Sequence, residues 1–200
     1  EVVRKFCPHL RDVFQCEFPE IAWSAVSWEA FHSSLVGIRR RLSILPVRWE
    51  VPPLGYKLNS DGCTKGNPGR SGGGGVVRDP GGQFIVGYSC FFGYLTSLHA
   101  ELKAMAFGVQ LCVERGFQDL HIEADSLVLV QILQGKRGCP WRLQREMNDL
   151  LRYKRYFRVI THCYREANKP ADCLANLGAN TEEDTIFGSH RELPDRVRGS

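Results

Sequence analysis

The stretch KLNSDGCTKGNPGRSGGGG, from Lys57 to Gly75, constrains this chain more than any other part of it. A single acid, Asp61, stands among repeated glycines. Such a stretch could be a phosphate-gripping loop, a flexible linker or a hairpin that holds the acid in place. The Gly-Lys-Ser/Thr ending of a nucleotide-binding P-loop is missing. A free linker would not have alternating, strand-like sequence on both sides, and this one does. The hairpin is the reading that remains.

The flanks give the hairpin its strands. YKLNSDG alternates, with Tyr56, Leu58 and Ser60 on one face and Lys57, Asn59 and Asp61 on the other. GGGVVRD and QFIVGYSCFFGY read as two more strands, joined by the turn signal DPGG as antiparallel neighbours. TSLHAELKAMAFGVQLCVERG then reads as a long helix. Its apolar stripe is Leu98, Leu102, Met105, Val109 and Cys112, Thr96 or Ser97 can cap it, and Gly116 ends it. A short strand (LHIEAD), a helix (SLVLVQILQG), a helix opening at Pro140, a strand (FRVITHCY) and a last helix (NKPADCLANLGAN) follow. The order β-β-β-α-β-α-α-β-α implies a mixed sheet with helices packed on it, an α/β fold.

Residues 1–47 read differently. EIAWSAVSWEAFHSSLVGIRRRL has apolar residues at helical spacing, and Arg39, Arg40 and Arg41 suit the negative end of that helix's dipole. LPVRWEVPPLG reads as an extended linker. The expected division is a helical segment and linker over 1–47, the sheet domain over 48–180, and a mobile tail over 181–200, which has few apolar residues. The chain opens on Glu1 rather than Met, so this reading expects a true start further upstream.

Composition narrows the partners. A net charge of +4 tolerates a polyanionic partner without requiring one. No apolar run reaches the roughly 18 residues of a membrane span, so no membrane partner is expected. The eight cysteines lack C-x2-C spacing, which argues against a zinc site. They read as small buried hydrophobes of a reducing intracellular compartment, the nucleus or cytoplasm above all.

Four acids fall at the ends of these elements. Asp61 ends the first strand, Glu101 lies early in the long helix, Asp125 ends LHIEAD, and Asp172 opens the last helix. Each has an ordinary explanation: a turn residue, a helix-dipole partner, an N-cap, a first-turn acid. Together on one sheet edge they would repel one another, and divalent cations with hard oxygen ligands would offset that repulsion.

Here the sequence resembles the type 1 ribonuclease H family, and within it the plant domains related to non-LTR retrotransposons, over about residues 48–180. DGCTKGNPG resembles the family's opening motif, HAELKAM its helical Glu, IEADS its Asp-Ser, and HCYREANKPADCLA its closing motif, with His162, Asn168 and Asp172 in the matching places. The resemblance implies a ribonuclease-H-like mixed five-stranded sheet in the order 3-2-1-4-5 with helices on both faces. It also implies Mg²⁺-dependent endonucleolytic hydrolysis of the RNA strand of an RNA–DNA hybrid. Asp61, Glu101, Asp125 and Asp172 would hold two ions, with Mn²⁺ as a substitute, and His162 would help position water or release product. Gly62, Cys63 and Asn67 would read the RNA strand through its 2′-OH, and Asn168 belongs to the nucleic-acid-binding set. Arg142 and Arg145, in a basic run over 141–158, would meet phosphates. A monomer with no small-molecule cofactor is expected. The alternative is a catalytically inactive, retrotransposon-derived module that binds nucleic acid or protein. Ser97, Leu98 and His99 stand where many cellular members carry groove-reading Asn residues, and Leu127 where they often carry a polar residue.

Overall fold

The structure is a computed structural model that describes residues 47–198 together with Glu29 and Ser33. Of the N-terminal helix expected over 20–42, only those two residues are described, both helical; the rest lies outside the described residues. Val47–Ser200 forms a compact unit. No helix among the described residues is long and apolar enough to cross a membrane.

A six-stranded sheet is its centre: β1 (Tyr56–Gly66), β2 (Gly69–Arg78), β3 (Phe84–Leu95), β4 (Leu120–Ala124), β5 (Phe157–His162) and β6 (Thr185–Phe187). The spatial order is β5-β4-β1-β2-β3-β6. β1, β2 and β3 pair antiparallel, while β4 runs parallel to β1 and β5 parallel to β4. The helices are α1 (Ser97–Glu114), α2 (Leu127–Leu133), α3 (Gln144–Leu151), α4 (Lys169–Thr181) and α5 (Asp195–Arg198). One sheet face packs against α1, whose Leu102, Met105 and Val109 are fully buried with Leu58, Tyr88 and Ile122. The Tyr88 hydroxyl donates to the Ala104 carbonyl at 2.7 Å, which satisfies a buried polar group. The other face carries α4 over β2 and its neighbours.

Three expectations need correction. The glycine run Gly72–Gly75 is not a hairpin turn but the interior of β2; the turn lies at Gly66–Gly69. A Cβ on Gly72 or Gly74 would strike the α4 backbone at 2.4 or 2.2 Å, and one on Gly75 would enter the Tyr88 ring. Glycine is required because the α4 backbone covers one face of the strand and the Tyr88 and Phe92 rings crowd the other.

The sheet has a sixth strand, and it comes from the tail expected to be mobile. β6 pairs antiparallel with β3 through Gly87–Phe187. The tail has few apolar residues, but Phe187, Leu193 and Val197 are all buried, packed with Val76 and Leu174. The segment read as a linker is also engaged. Trp49 Nε1 donates to Asn59 Oδ1 at 2.8 Å, and the indole lies beneath the Lys57 and Arg78 cations. Lys57, 1% exposed, donates to the Glu50 carbonyl and pairs with Glu123 at 2.7 Å, so a buried charge is matched on both counts.

Candidate active site

The sheet itself brings the first two acids together. β1 and β4 are parallel neighbours with Ser60 opposite Ala124, so the next residues, Asp61 and Asp125, fall side by side. α1 adds Glu101. It seats directly on β1 because Gly62 has no side chain: a Cβ there would lie 2.2 Å from the Glu101 nitrogen. The Gly62 N–H donates to the Glu101 carboxylate at 3.2 Å. Asp61, Glu101 and Asp125 each offer an oxygen, and these atoms all lie within 4.8 Å of one another.

The ordinary explanations for these three acids fail. Asp61 sits within β1, not in a turn. The first turn of α1 contains no acid, so Glu101 is no helix-dipole partner. Ser126, not Asp125, caps α2 by accepting from the Leu129 N–H. Asp172 does stand in the first turn of α4. It accepts from Arg165 Nη2 at 2.6 Å and from Asn176 Nδ2 at 3.3 Å.

Burial and crowding shape the titration. Asp61 is pushed up to about 8, first by burial, then by Asp125 and Asp172. Glu101 is raised well above the usual range by burial and by the charges of Asp61 and Asp125, against the opposing Gly62 hydrogen bond. Arg165 pulls both back down. A cluster of carboxylates held against its own repulsion, with oxygen donors only, fits a hard divalent cation.

Of the remaining expected site residues, Asn67 does local work. Its Oδ1 accepts from the Ser97 N–H at 3.0 Å, so the hairpin turn caps α1 in place of Thr96, whose side chain makes no cap bond. Asn168 is wholly buried, and its Nδ2 donates to the Ser60 carbonyl at 3.0 Å. That corrects its assignment as a nucleic-acid contact: with no exposed surface, it ties the start of α4 to β1 one residue before Asp61. Cys63 is half-buried beside Asp61, with its thiol pushed up by burial. His162 ends β5, exposed, with its ring edge-on to Tyr164 at 5.8 Å. Arg142 and Arg145 are exposed at the start of α3, Arg142 resting on the 80% exposed Trp141. The residue missed in the sequence is Arg165. A cation in the short turn (Arg165–Ala167) just ahead of an acid-bearing helix start was the available signal.

Residues 59–178 match the reverse transcriptase-like family. An Arabidopsis thaliana protein with a provisional ribonuclease H name is 33% identical over 160 residues, covering 77% of this chain and 26% of that protein. Ribonuclease HI of Halobacterium salinarum is 30% identical over 138 residues, covering 62% of this chain and 65% of that one. The chain thus spans about a quarter of the first relative and just under two thirds of the second. Among solved structures, RNase H1 from Halobacterium salinarum aligns with a TM-score of 0.60 at 27% identity, over 64% of this chain and 98% of that one. LC11-RNase H1, solved in complex with an RNA/DNA hybrid, aligns with a TM-score of 0.60 at 24% identity, over 64% and 98%, a likeness of fold. The chain belongs to the reverse transcriptase-like family and is built on the type 1 ribonuclease H fold.

Proposed function

We propose that this domain is an endonuclease that hydrolyses the RNA strand of RNA–DNA hybrids with the help of two Mg²⁺ ions. The observation that carries the reading is the convergence of Asp61, Glu101 and Asp125 within 4.8 Å. The ribonuclease H names of the two relatives support it.

Asp61, Glu101, Asp125 and Asp172 would hold the ions. When bound, the ions lower the pKa of water and offset the charge that develops on the phosphodiester. The protein's own part is positioning. Gly62 lets α1 press Glu101 against β1, and Asn168 fixes the start of α4 beside Asp61. Asn67 keeps its amide nitrogen as a donor for a 2′-OH while its oxygen caps α1. The Gly62 and Cys63 backbone flanks the same place, and the exposed Arg142 and Arg145 supply sequence-independent phosphate contacts. His162 would act at the rim, in water positioning or product release. The reading includes a monomer in a reducing compartment, nuclear or cytoplasmic; the six described cysteines are unpaired.

The test is cleavage of a labelled RNA–DNA hybrid in Mg²⁺ or in EDTA, beside Asp125→Asn. The expected result is RNA cleavage that EDTA abolishes. The variant should lose more than about 100-fold, beyond the 10–100-fold typical of losing a group behind a metal ligand. Tight hybrid binding with no cleavage at millimolar Mg²⁺ would instead support the inactive binding module.

A further inference from the structure

A pocket of about 430 Å³ lies beside Asp172, between α4 and the C-terminal segment. Asp172, Asn176 and Asn180 line it from α4 at a spacing of four residues, so they share one face of the helix. Lys65 enters from the end of β1, and Pro194 and Arg196 come from the tail. The residues after 178 lie beyond the family match, and Asn180, Pro194 and Arg196 are among them.

The charges in the pocket do not balance. Asp172 already has a guanidinium partner in Arg165. Lys65 Nζ donates to the neutral Asn176 Oδ1 at 2.8 Å and has no carboxylate partner among the described residues. Arg196 also has none, whereas its neighbour Arg198 is paired with Asp195. Two exposed cations from separate elements therefore face one pocket with no carboxylate paired to either among the described residues, its one acid, Asp172, being held by Arg165. Nearby, Arg70 is matched by Glu182.

We propose that this pocket is a phosphate subsite, which takes a backbone phosphate of the RNA strand next to the one being cut. The proposal rests on the hybrid-cleavage reading above. Asp172 belongs to both places, so a strand whose scissile phosphate sits at the acids carries its neighbouring phosphate toward Lys65 and Arg196. The volume is in the range of ordinary ligand pockets, enough for a phosphate and its sugar. Because the pocket lies to one side of the acids, it favours one direction along the strand.

The test uses the full chain carrying Lys65→Ala and Arg196→Ala, with Arg115→Ala and Lys136→Ala, two exposed cations outside the pocket, as a charge-matched control. Both pocket side chains are exposed, so thermal unfolding should not change. First, hybrid binding is measured by fluorescence anisotropy in the Asp125→Asn background across a salt series. The double change should weaken binding about tenfold and reduce the log–log salt slope by about 2, near one per lost phosphate contact, beyond the effect of the control. Second, single neutral methylphosphonate linkages are walked along the RNA strand and cut sites are mapped. In the otherwise unchanged chain, a neutral linkage should suppress cutting at one fixed offset to one side. That suppression should vanish in the double variant, because the linkage and the side chains then report one interaction. Cleavage and binding that match the control overturn the subsite and leave the nuclease reading standing. Failure of the unchanged chain to bind or cut hybrid overturns both.

Discussion

Asp61 is the most constrained residue in the site, and its constraint has a sign. Its folded pKa of about 8 lies above the ordinary aspartate value of 3.8, so between those values the folded chain keeps a proton that the unfolded chain has lost. Stability of the metal-free protein should therefore fall as pH rises from about 4 to about 8. Asp61→Asn removes the group that titrates. In EDTA, its urea midpoint at pH 8 should exceed that of the unchanged chain, by on the order of a few kcal/mol in stability, and the gap should shrink toward pH 4. In Mg²⁺ the order should reverse, because the carboxylate is then needed. Equal pH profiles for the two proteins in EDTA would count against the crowded-carboxylate picture. Asp61 was legible in the sequence because a lone acid among glycines has few uses, although β1 runs on past it to Gly66. Arg165 was not, because its importance depends on a 2.6 Å contact made across a turn.

Among the elements, β2 shows most clearly how the fold sets the site. Its glycines let α4 and α1 approach from opposite faces, and those helices carry Asp172 and Glu101. Gly74→Ala would place a Cβ 2.2 Å from the Ala175 nitrogen. Backbone cannot rotate away as a side chain can, so the change should cost about 3 kcal/mol, at the upper end for overpacking. Gly138→Ala is the matched comparison. It has open space and no left-handed backbone, so its urea midpoint should stay near that of the unchanged chain. The sequence pointed to a turn here because clustered glycine is the commonest turn signal. What makes these residues glycine is a helix about a hundred positions later, and no local pattern contains that information.

At the scale of the molecule, the family match ends before the chain does. β6 and α5 close the free edge of β3, and the load is carried by Phe187, Leu193 and Val197. Phe187→Ala should cost about 3 kcal/mol, as for a buried aromatic in a core, read as a lower urea midpoint at unchanged slope. An unchanged midpoint would mean that the tail contributes nothing to the fold. The strands and long helix were legible because their apolar periods are regular, and the acids because each stands in a short motif that resembles the family's. The tail was not, because its three anchors, six and four residues apart, are too sparse to display either period. The Trp49 segment was missed for a related reason: prolines gave it the look of a spacer, while the partner of its indole, Asn59, lies in the strand beyond. The glycine strand has one more consequence. With no side-chain layer between the glycine run and α4, that face of the strand has no padding. A slide of α4 that a layer of leucines would absorb is blocked there by backbone. Asp172 therefore rides on a helix with little freedom to shift along the sheet.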